Sequence, residues 1–302
     1  MHGRIKEVCR QRNIEFCENV ETAALSSFRI GGVASLLLKP ACVGELCDLL
    51  LLCRRHAVPF SLIAGGTNLL FDDGKIERVL ISLRALDALR EVPDGFVAQC
   101  GVRLSQLAAK AAACGLHGLE FACGIPGTLG GAIVMNAGAH GAEIGSVVRE
   151  IEVFDPRDGR VFSMSAQEAG FAYRESVFQS EPLVVLGARL SLCADDCAAI
   201  RARMQSFLQK RRLTQPNQPS AGSTFRRPSA EVPLSRMLDE LGLKGLSVGG
   251  AEVSHRHAGF IVNRGAATAR DVLTLIEKIQ KIVEREKGFR PIPEIRLISD
   301  RI

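Results

Sequence analysis

Two glycine-rich loops, Ala64-Gly65-Gly66-Thr67-Asn68 and Gly124-Ile125-Pro126-Gly127-Thr128-Leu129-Gly130-Gly131, constrain this chain more than any other feature. Glycine lets backbone N–H groups converge on an anion with no Cβ in the way. The apolar run Phe60-Ser61-Leu62-Ile63 leads straight into the first loop, as a short buried strand would. Short strands that empty into phosphate-sized nests point to an enzyme holding a large cofactor. Neither loop has the glycine spacing of a dinucleotide strand-to-helix turn, and neither ends in the Gly-Lys-Ser/Thr of a P-loop. Adjacent glycines also mark ordinary turns, so the loops alone leave both readings open.

At 302 residues the chain exceeds one ordinary core, and two or three packed units are expected. Its net charge of +5 is modest, with basic residues bunched around Lys210-Arg211-Arg212 and Arg226-Arg227. Aromatic residues make up 5%, with no Trp and one Tyr. Stacking platforms for nucleic acid are hard to assemble from so few rings, so that partner is disfavoured. The ten cysteines lie scattered in apolar text such as Leu46-Cys47-Asp48-Leu49-Leu50, which reads as buried reduced thiols and not as a disulfide framework. No Cys-x-x-Cys pair occurs and the histidines have no zinc-like spacing, so no metal is expected. Met1 to Glu7 lacks an apolar signal core, and no apolar run approaches the roughly 20 residues that span a bilayer. A cytoplasmic protein without a membrane partner follows as the expectation.

Between residues 28 and 192 short β-rich runs alternate with helical ones. Strands are expected at Ala34–Leu38, Phe60–Ile63, Arg78–Leu83, Phe96–Cys100 and Leu183–Leu192, with helices at Val43–His56 and Leu104–Cys114, the latter ended by Gly115. Glu150–Phe154 and Arg160–Met164 flank Asp158-Gly159 and read as a hairpin. A helix over Ala198–Arg212 precedes the Pro-rich stretch Thr214–Ser220, and a domain boundary is expected near residue 200. Beyond it come a helix over Val232–Leu241, strands at Gly259–Asn263 and Ile295–Ile298, and a helix over Ala269–Lys287. Thr268 suits the cap of that last helix, Gly288 its end, and Val272, Ile276, Ile279 and Val283 its core stripe.

Several segments then carry a family resemblance in order along nearly the whole chain: Ser27–Gly32, both glycine loops, Met135–Ala139, Tyr173–Phe178, Ser220–Arg226, His257–Asn263 and Pro293–Arg296. Together they resemble the UDP-N-acetylenolpyruvoylglucosamine reductases, flavoenzymes of peptidoglycan precursor synthesis, in the short form lacking an inserted tyrosine loop. The resemblance implies an α+β fold: a two-lobed FAD-binding domain of the vanillyl-alcohol-oxidase type over residues 1–200, split near 85, and a substrate domain over 201–302. It implies non-covalent FAD, NADPH as co-substrate, a UDP-sugar substrate and a monomer. Ala64, Gly65, Gly66, Thr67, Asn68, Leu69, Gly124, Ile125, Pro126, Gly127, Thr128, Gly131, Asn136 and Gly138 would hold FAD. Ser223 would be the general acid, Arg174 the partner of the substrate carboxylate, and Glu294 a hydrogen-bond donor or an orienting carboxylate. Tyr173, Arg226, His257 and Asn263 would meet the substrate.

Two departures from the family pattern stand out. Thr214 occupies the place of a phosphate-reaching lysine, for which Arg211 or Arg212 would have to compensate, and Arg226-Arg227-Pro228 replaces Lys-Asn-Pro. Two other readings remain at this stage: an oxidase or dehydrogenase of the same cofactor fold, and a non-catalytic nucleotide-binding module.

Overall fold

The computed structural model describes residues 2–227 and 233–300. They form two compact units, one built from Met1–Cys17, Leu36–Gly65 and Val79–Arg211, the other from Glu18–Ser35, Gly66–Arg78 and Arg212–Ile302.

In the first unit the apolar run of strand Val33–Lys39 pairs in parallel through Leu37 and Leu38 with Leu80 and Ile81 of strand Val79–Ser82. That strand pairs in parallel with Phe60–Ile63 on its other side. The crossover is helix Val43–Arg55, whose buried Leu46, Leu49, Leu50 and Cys53 recur at the three- and four-residue spacing of one helical face. A five-stranded antiparallel sheet follows, in the order Arg160–Ser165, Val148–Asp155, Val184–Ser191, Gly95–Gln99, Leu89–Val92. Its hairpin turns at Gly159, where φ of 78° is the left-handed conformation that glycine adopts without strain. Phe96, Phe154, Ile151 and Leu186 are fully buried in the core of this unit.

Helix Cys197–Thr214 is tied down by Arg203, which donates to Glu120 Oε1 at 2.7 and 2.9 Å and to Asp195 Oδ2 at 2.5 Å. Burial works against ionisation of Glu120. The Gly118 N–H at 2.7 Å and the Arg203 guanidinium outweigh it and hold the carboxyl below its ordinary range.

The second unit centres on an antiparallel sheet in the order Ser220–Ser223, Phe260–Asn263, Ala251–Val253, Ser247–Val248. Helix Ala269–Lys287 covers it with Val272, Leu275, Ile276, Ile279 and Val283. Thr268 and Asp271 form a reciprocal capping box, and Asp73 accepts from Ala269 N and Arg270 N at 2.6 and 3.0 Å. Strand Leu69–Phe71 pairs in parallel with Arg296–Ile298.

The expected elements from Ala34 to Ile298 are present within about two residues, and Ala269–Lys287 matches at both ends. Val232, the first residue of the helix expected up to Leu241, lies outside the described residues; the helix is described over Leu234–Glu240. The unit boundaries differ from the division at residue 200. Residue 200 sits inside helix Cys197–Thr214, and Glu18–Ser35 and Gly66–Arg78 group with the C-terminal part because they hydrogen-bond within it. Among the described residues no helix is long and apolar enough to cross a membrane.

Candidate active site

Ser223 owes its position to a bulge. Ser220 pairs with Val262 and Ser223 with Phe260, so three steps on one strand face two on the other. Gly222 absorbs the extra residue at φ of 80°, a conformation costly for any side chain, and Ser223 is left exposed at the end of its strand. The chain beyond it is held by an isolated bridge. Phe225 pairs antiparallel with Pro293, Glu294 N donates to Thr224 O at 2.8 Å, and Arg226 N donates to Ile292 O at 2.9 Å. Ser223 ends its strand one residue before this bridged segment, and Glu294 sits on the bridge's other side within the same unit. Asn68 joins the same framework: its Nδ2 donates to Glu294 O at 3.0 Å, and its own carbonyl accepts from Arg296 N at 3.0 Å.

Arg174 belongs to the first unit, where its φ of 58° marks a strained turn. Its guanidinium donates from Nη1 to Asn136 O at 3.2 Å and from Nη2 to Gly138 O at 2.9 Å, and lies 5.2 Å from the centre of the Tyr173 ring. Gln179 Nε2 holds the Arg174 carbonyl at 2.8 Å. Asn136 is fully buried at the end of helix Leu129–Met135, where it donates to Ala172 O at 2.8 Å and accepts from Gly145 N at 3.0 Å. Its amide thus bonds to the fold on both sides, and its backbone carbonyl orients Arg174.

The first glycine loop divides between the units after Gly65. Ala64 O accepts from Arg84 Nε at 3.1 Å, Leu69 O accepts from Ser26 Oγ at 3.0 Å, and Thr67 is half-buried. Gly66 is held by packing: at φ of 67°, a Cβ would lie 1.9 Å from Leu25 O. In the second loop, Ile125 N donates to Ala122 O at 3.1 Å and Gly127 O accepts from Leu104 N at 3.1 Å, while Pro126 is exposed. Gly124 lies under helix Cys197–Thr214, with Arg211 Cδ 3.1 Å from where its Cβ would be.

The residues of this second loop fit a bound dinucleotide. Thr128 Oγ1 is buried and makes no hydrogen bond among the described residues, although Thr128 stands at the N-cap of Leu129–Met135. Apart from its chain neighbours and the backbone of its own helix, that same hydroxyl is the one atom of the described residues within 4 Å of a Cβ built on Gly131, at 3.8 Å. A buried hydroxyl without a partner, beside space that a side chain at Gly131 would fill, is the signature of a polar ligand.

Among the expected substrate contacts, Arg226 is half-buried and Tyr173 lies against Arg174. His257 accepts from Gly259 N on Nδ1 at 3.2 Å and meets the Phe260 ring edge-on at 4.9 Å. Burial lowers its pKa, which fits a neutral ring with an accepting Nδ1. Asn263 is buried, and its amide is saturated: Nδ2 donates to Phe28 O and Arg29 O at 3.1 and 3.2 Å, and Oδ1 accepts from Gly265 N and Ala267 N at 2.8 and 3.2 Å. These bonds brace the Phe28-Arg29 turn. Gln215 escaped the sequence reading. Its Oε1 is buried with no hydrogen-bond partner among the described residues, while Arg256 Nη1 clamps the Gln215 and Arg212 carbonyls at 3.1 Å each. A glutamine before a proline carries no composition signal that would have singled it out.

Family models match both parts of the chain: "FAD binding domain" over residues 34–165 and "UDP-N-acetylenolpyruvoylglucosamine reductase, C-terminal domain" over residues 215–298. A UDP-N-acetylenolpyruvoylglucosamine reductase from Caldanaerobacter subterraneus is 40% identical over 299 residues, covering 99% of this chain and 98% of the relative. One from Syntrophomonas wolfei is 43% identical over 277 residues, covering 91% and 92%. The crystal structure of the Thermus caldophilus UDP-N-acetylenolpyruvylglucosamine reductase superposes with a TM-score of 0.79 at 31% identity, covering 94% of this chain and 98% of that one.

Proposed function

The chain belongs to the UDP-N-acetylenolpyruvoylglucosamine reductases, and from that membership we propose how its own residues divide the work. The enzyme uses NADPH to reduce the enolpyruvyl group of UDP-N-acetylglucosamine enolpyruvate to UDP-N-acetylmuramate in peptidoglycan precursor synthesis. Bound FAD supplies the hydride chemistry. Adding hydride at the methylene carbon leaves charge on the carbon that bears the carboxylate, and that carbon then takes a proton. Stabilising the charge and delivering the proton fall to the polypeptide.

Ser223 is the proton donor. An alcohol is a feeble acid in water, but a carbanionic centre held against it is basic enough to take its proton. The single observation that carries this role is the bulge at Gly222, which leaves Ser223 exposed next to Thr224, whose carbonyl holds Glu294 N. Glu294 supports that proton transfer through its carboxyl group, with its backbone fixed by Thr224 and Asn68. Arg174, its fork aimed by the Asn136 and Gly138 carbonyls, takes the substrate carboxylate and the charge that spreads into it. Arg226 offsets the substrate diphosphate, Tyr173 and neutral His257 contact the substrate, and Asn263 positions the turn beneath. Thr128, Gly131 and the Ala64–Leu69 loop hold the cofactor.

We assign the protein to the cytoplasm as a monomer. Its ten free thiols suit a reducing compartment, and every role above is filled from one chain. The test of the whole reading is anaerobic: the purified protein releases flavin on denaturation, NADPH bleaches it, and UDP-N-acetylglucosamine enolpyruvate restores the colour. A bleached enzyme that this substrate does not reoxidise would overturn the assignment.

A further inference from the structure

One face of helix Cys197–Thr214 lies along the second glycine loop. Cys123 Sγ contacts Met204 O at 3.7 Å, and a Cβ on Gly124 would sit 3.4 Å from Leu208 Cδ2 and 3.1 Å from Arg211 Cδ. The four- and three-residue spacing of Met204, Leu208 and Arg211 is that of a single helical face. Arg211 is the cation that this face delivers to the loop.

Its surroundings within the polypeptide do not account for it. Arg203 on the same helix is matched by Glu120 and Asp195. Arg211 is half-buried, yet makes neither an ion pair nor a hydrogen bond among the described residues. Desolvation lowers its pKa, and the Cys123 thiol is the one group that acts the other way. The field there is positive enough that burial, Lys210 and Arg211 together depress the pKa of His140, which stacks on Phe207 at 4.0 Å. A guanidinium taken partly out of water without a carboxylate costs free energy unless an anion meets it. The Thr128 hydroxyl at the end of the same loop, without a partner among the described residues, points independently to a polar ligand.

We propose that Arg211 is a binding residue for a diphosphate, that of FAD, held over Gly124 by helix Cys197–Thr214. This rests on FAD being the cofactor, and it assigns Arg211 to the cofactor in place of the substrate-phosphate role open to it from sequence. The substrate carries a diphosphate too, so the test separates the two sources.

The holoenzyme is diluted and FAD release is followed by recovery of flavin fluorescence, while UDP binding is followed by perturbation of the flavin absorbance. Loss of one charge-assisted contact predicts FAD release about 10- to 100-fold faster in Arg211→Met. Arg211→Lys is expected to recover part of the difference, and UDP affinity to stay within about twofold, since only the cofactor contact is removed. Unchanged FAD release in both variants overturns the proposal, whether UDP binding falls, which gives Arg211 to the substrate, or stays put, which makes it a packing residue. If Arg211→Met does not fold, Arg211→Gln decides by the same two measurements. Wild-type protein that contains no flavin would instead refute the cofactor reading before Arg211 is at issue.

Discussion

The Asn68 side chain donates to the backbone carbonyl of Glu294 at 3.0 Å, tying a residue of the first glycine loop to a residue of the proposed proton-delivery segment. The bond joins positions 226 residues apart, and the returning Arg296 N–H closes on the Asn68 carbonyl. A residue expected to face the cofactor thus also sets the backbone from which Glu294 projects.

Asn68→Ala removes that donor and leaves Glu294 O in a half-buried setting. A stability loss of about 1 kcal/mol is expected from one such bond. Stopped-flow measurement is expected to show reoxidation by the enolpyruvyl substrate slowed more than flavin reduction by NADPH. Equal slowing of both would place the effect of Asn68 on the flavin instead.

Ser223→Ala removes the proposed acid while keeping the bulge, because Gly222 and the Ser223–Phe260 pairing are backbone features. Flavin reduction by NADPH should stay near the wild-type rate, and reoxidation by substrate should fall by about 10²–10⁴, the range for loss of a general acid. Rapid-mixing absorbance of the two half-reactions separates them, and a reoxidation rate within a few fold of wild type would remove Ser223 from the proton transfer.

How much of this was legible beforehand depended on how local the causes are. Helix Ala269–Lys287 could be read end to end because its capping residue, its C-terminal glycine and its apolar stripe all lie within it. The hairpin around Asp158-Gly159 was equally local. Helix Leu129–Met135 begins inside the second glycine-rich loop, where Gly130-Gly131 hide it from local propensity; a Cβ on Gly130 would lie 2.7 Å from Cys100 Cβ. The parallel pairing of Leu69–Phe71 with Arg296–Ile298 joins strands from opposite ends of the chain, which no periodicity encodes. For the site, Arg174, Ser223 and Glu294 came from resemblance. The saturated amide of Asn263 and the unpartnered oxygens of Thr128 and Gln215 are properties of packing, invisible until the backbone is in place.

Thr128→Val tests the ligand signature of the second loop. The hydroxyl makes no hydrogen bond among the described residues, so its removal should cost no stability without FAD, and replacing an unsatisfied buried polar atom with a methyl group is expected to be neutral or slightly stabilising. With FAD the ligand's partner is gone, and affinity should fall about 10-fold. Thermal unfolding with and without added FAD reads both effects at once. A variant destabilised equally in both conditions would mean that the hydroxyl serves the fold.

His257 supplies the pH dependence. Burial depresses its pKa in the folded protein, and the Gly259 N–H donated to Nδ1 requires that nitrogen to be unprotonated. In the unfolded chain the imidazole titrates near its ordinary value of about 6.5. Above that pH both states are neutral and the stability is fully present. As the pH falls below it the unfolded state takes up a proton that the folded state refuses, so stability declines until the folded pKa is reached. His140 is depressed in the same direction by burial, Lys210 and Arg211, and adds a parallel loss. Replacing His257 by Gln leaves a side chain that can still accept from Gly259 N but does not titrate. Urea unfolding at a series of pH values between about 7 and 5 should then show a shallower decline for the variant than for wild type. Identical slopes would mean that His257 takes up its proton equally in both states, and that its bond to Gly259 does not hold the ring neutral.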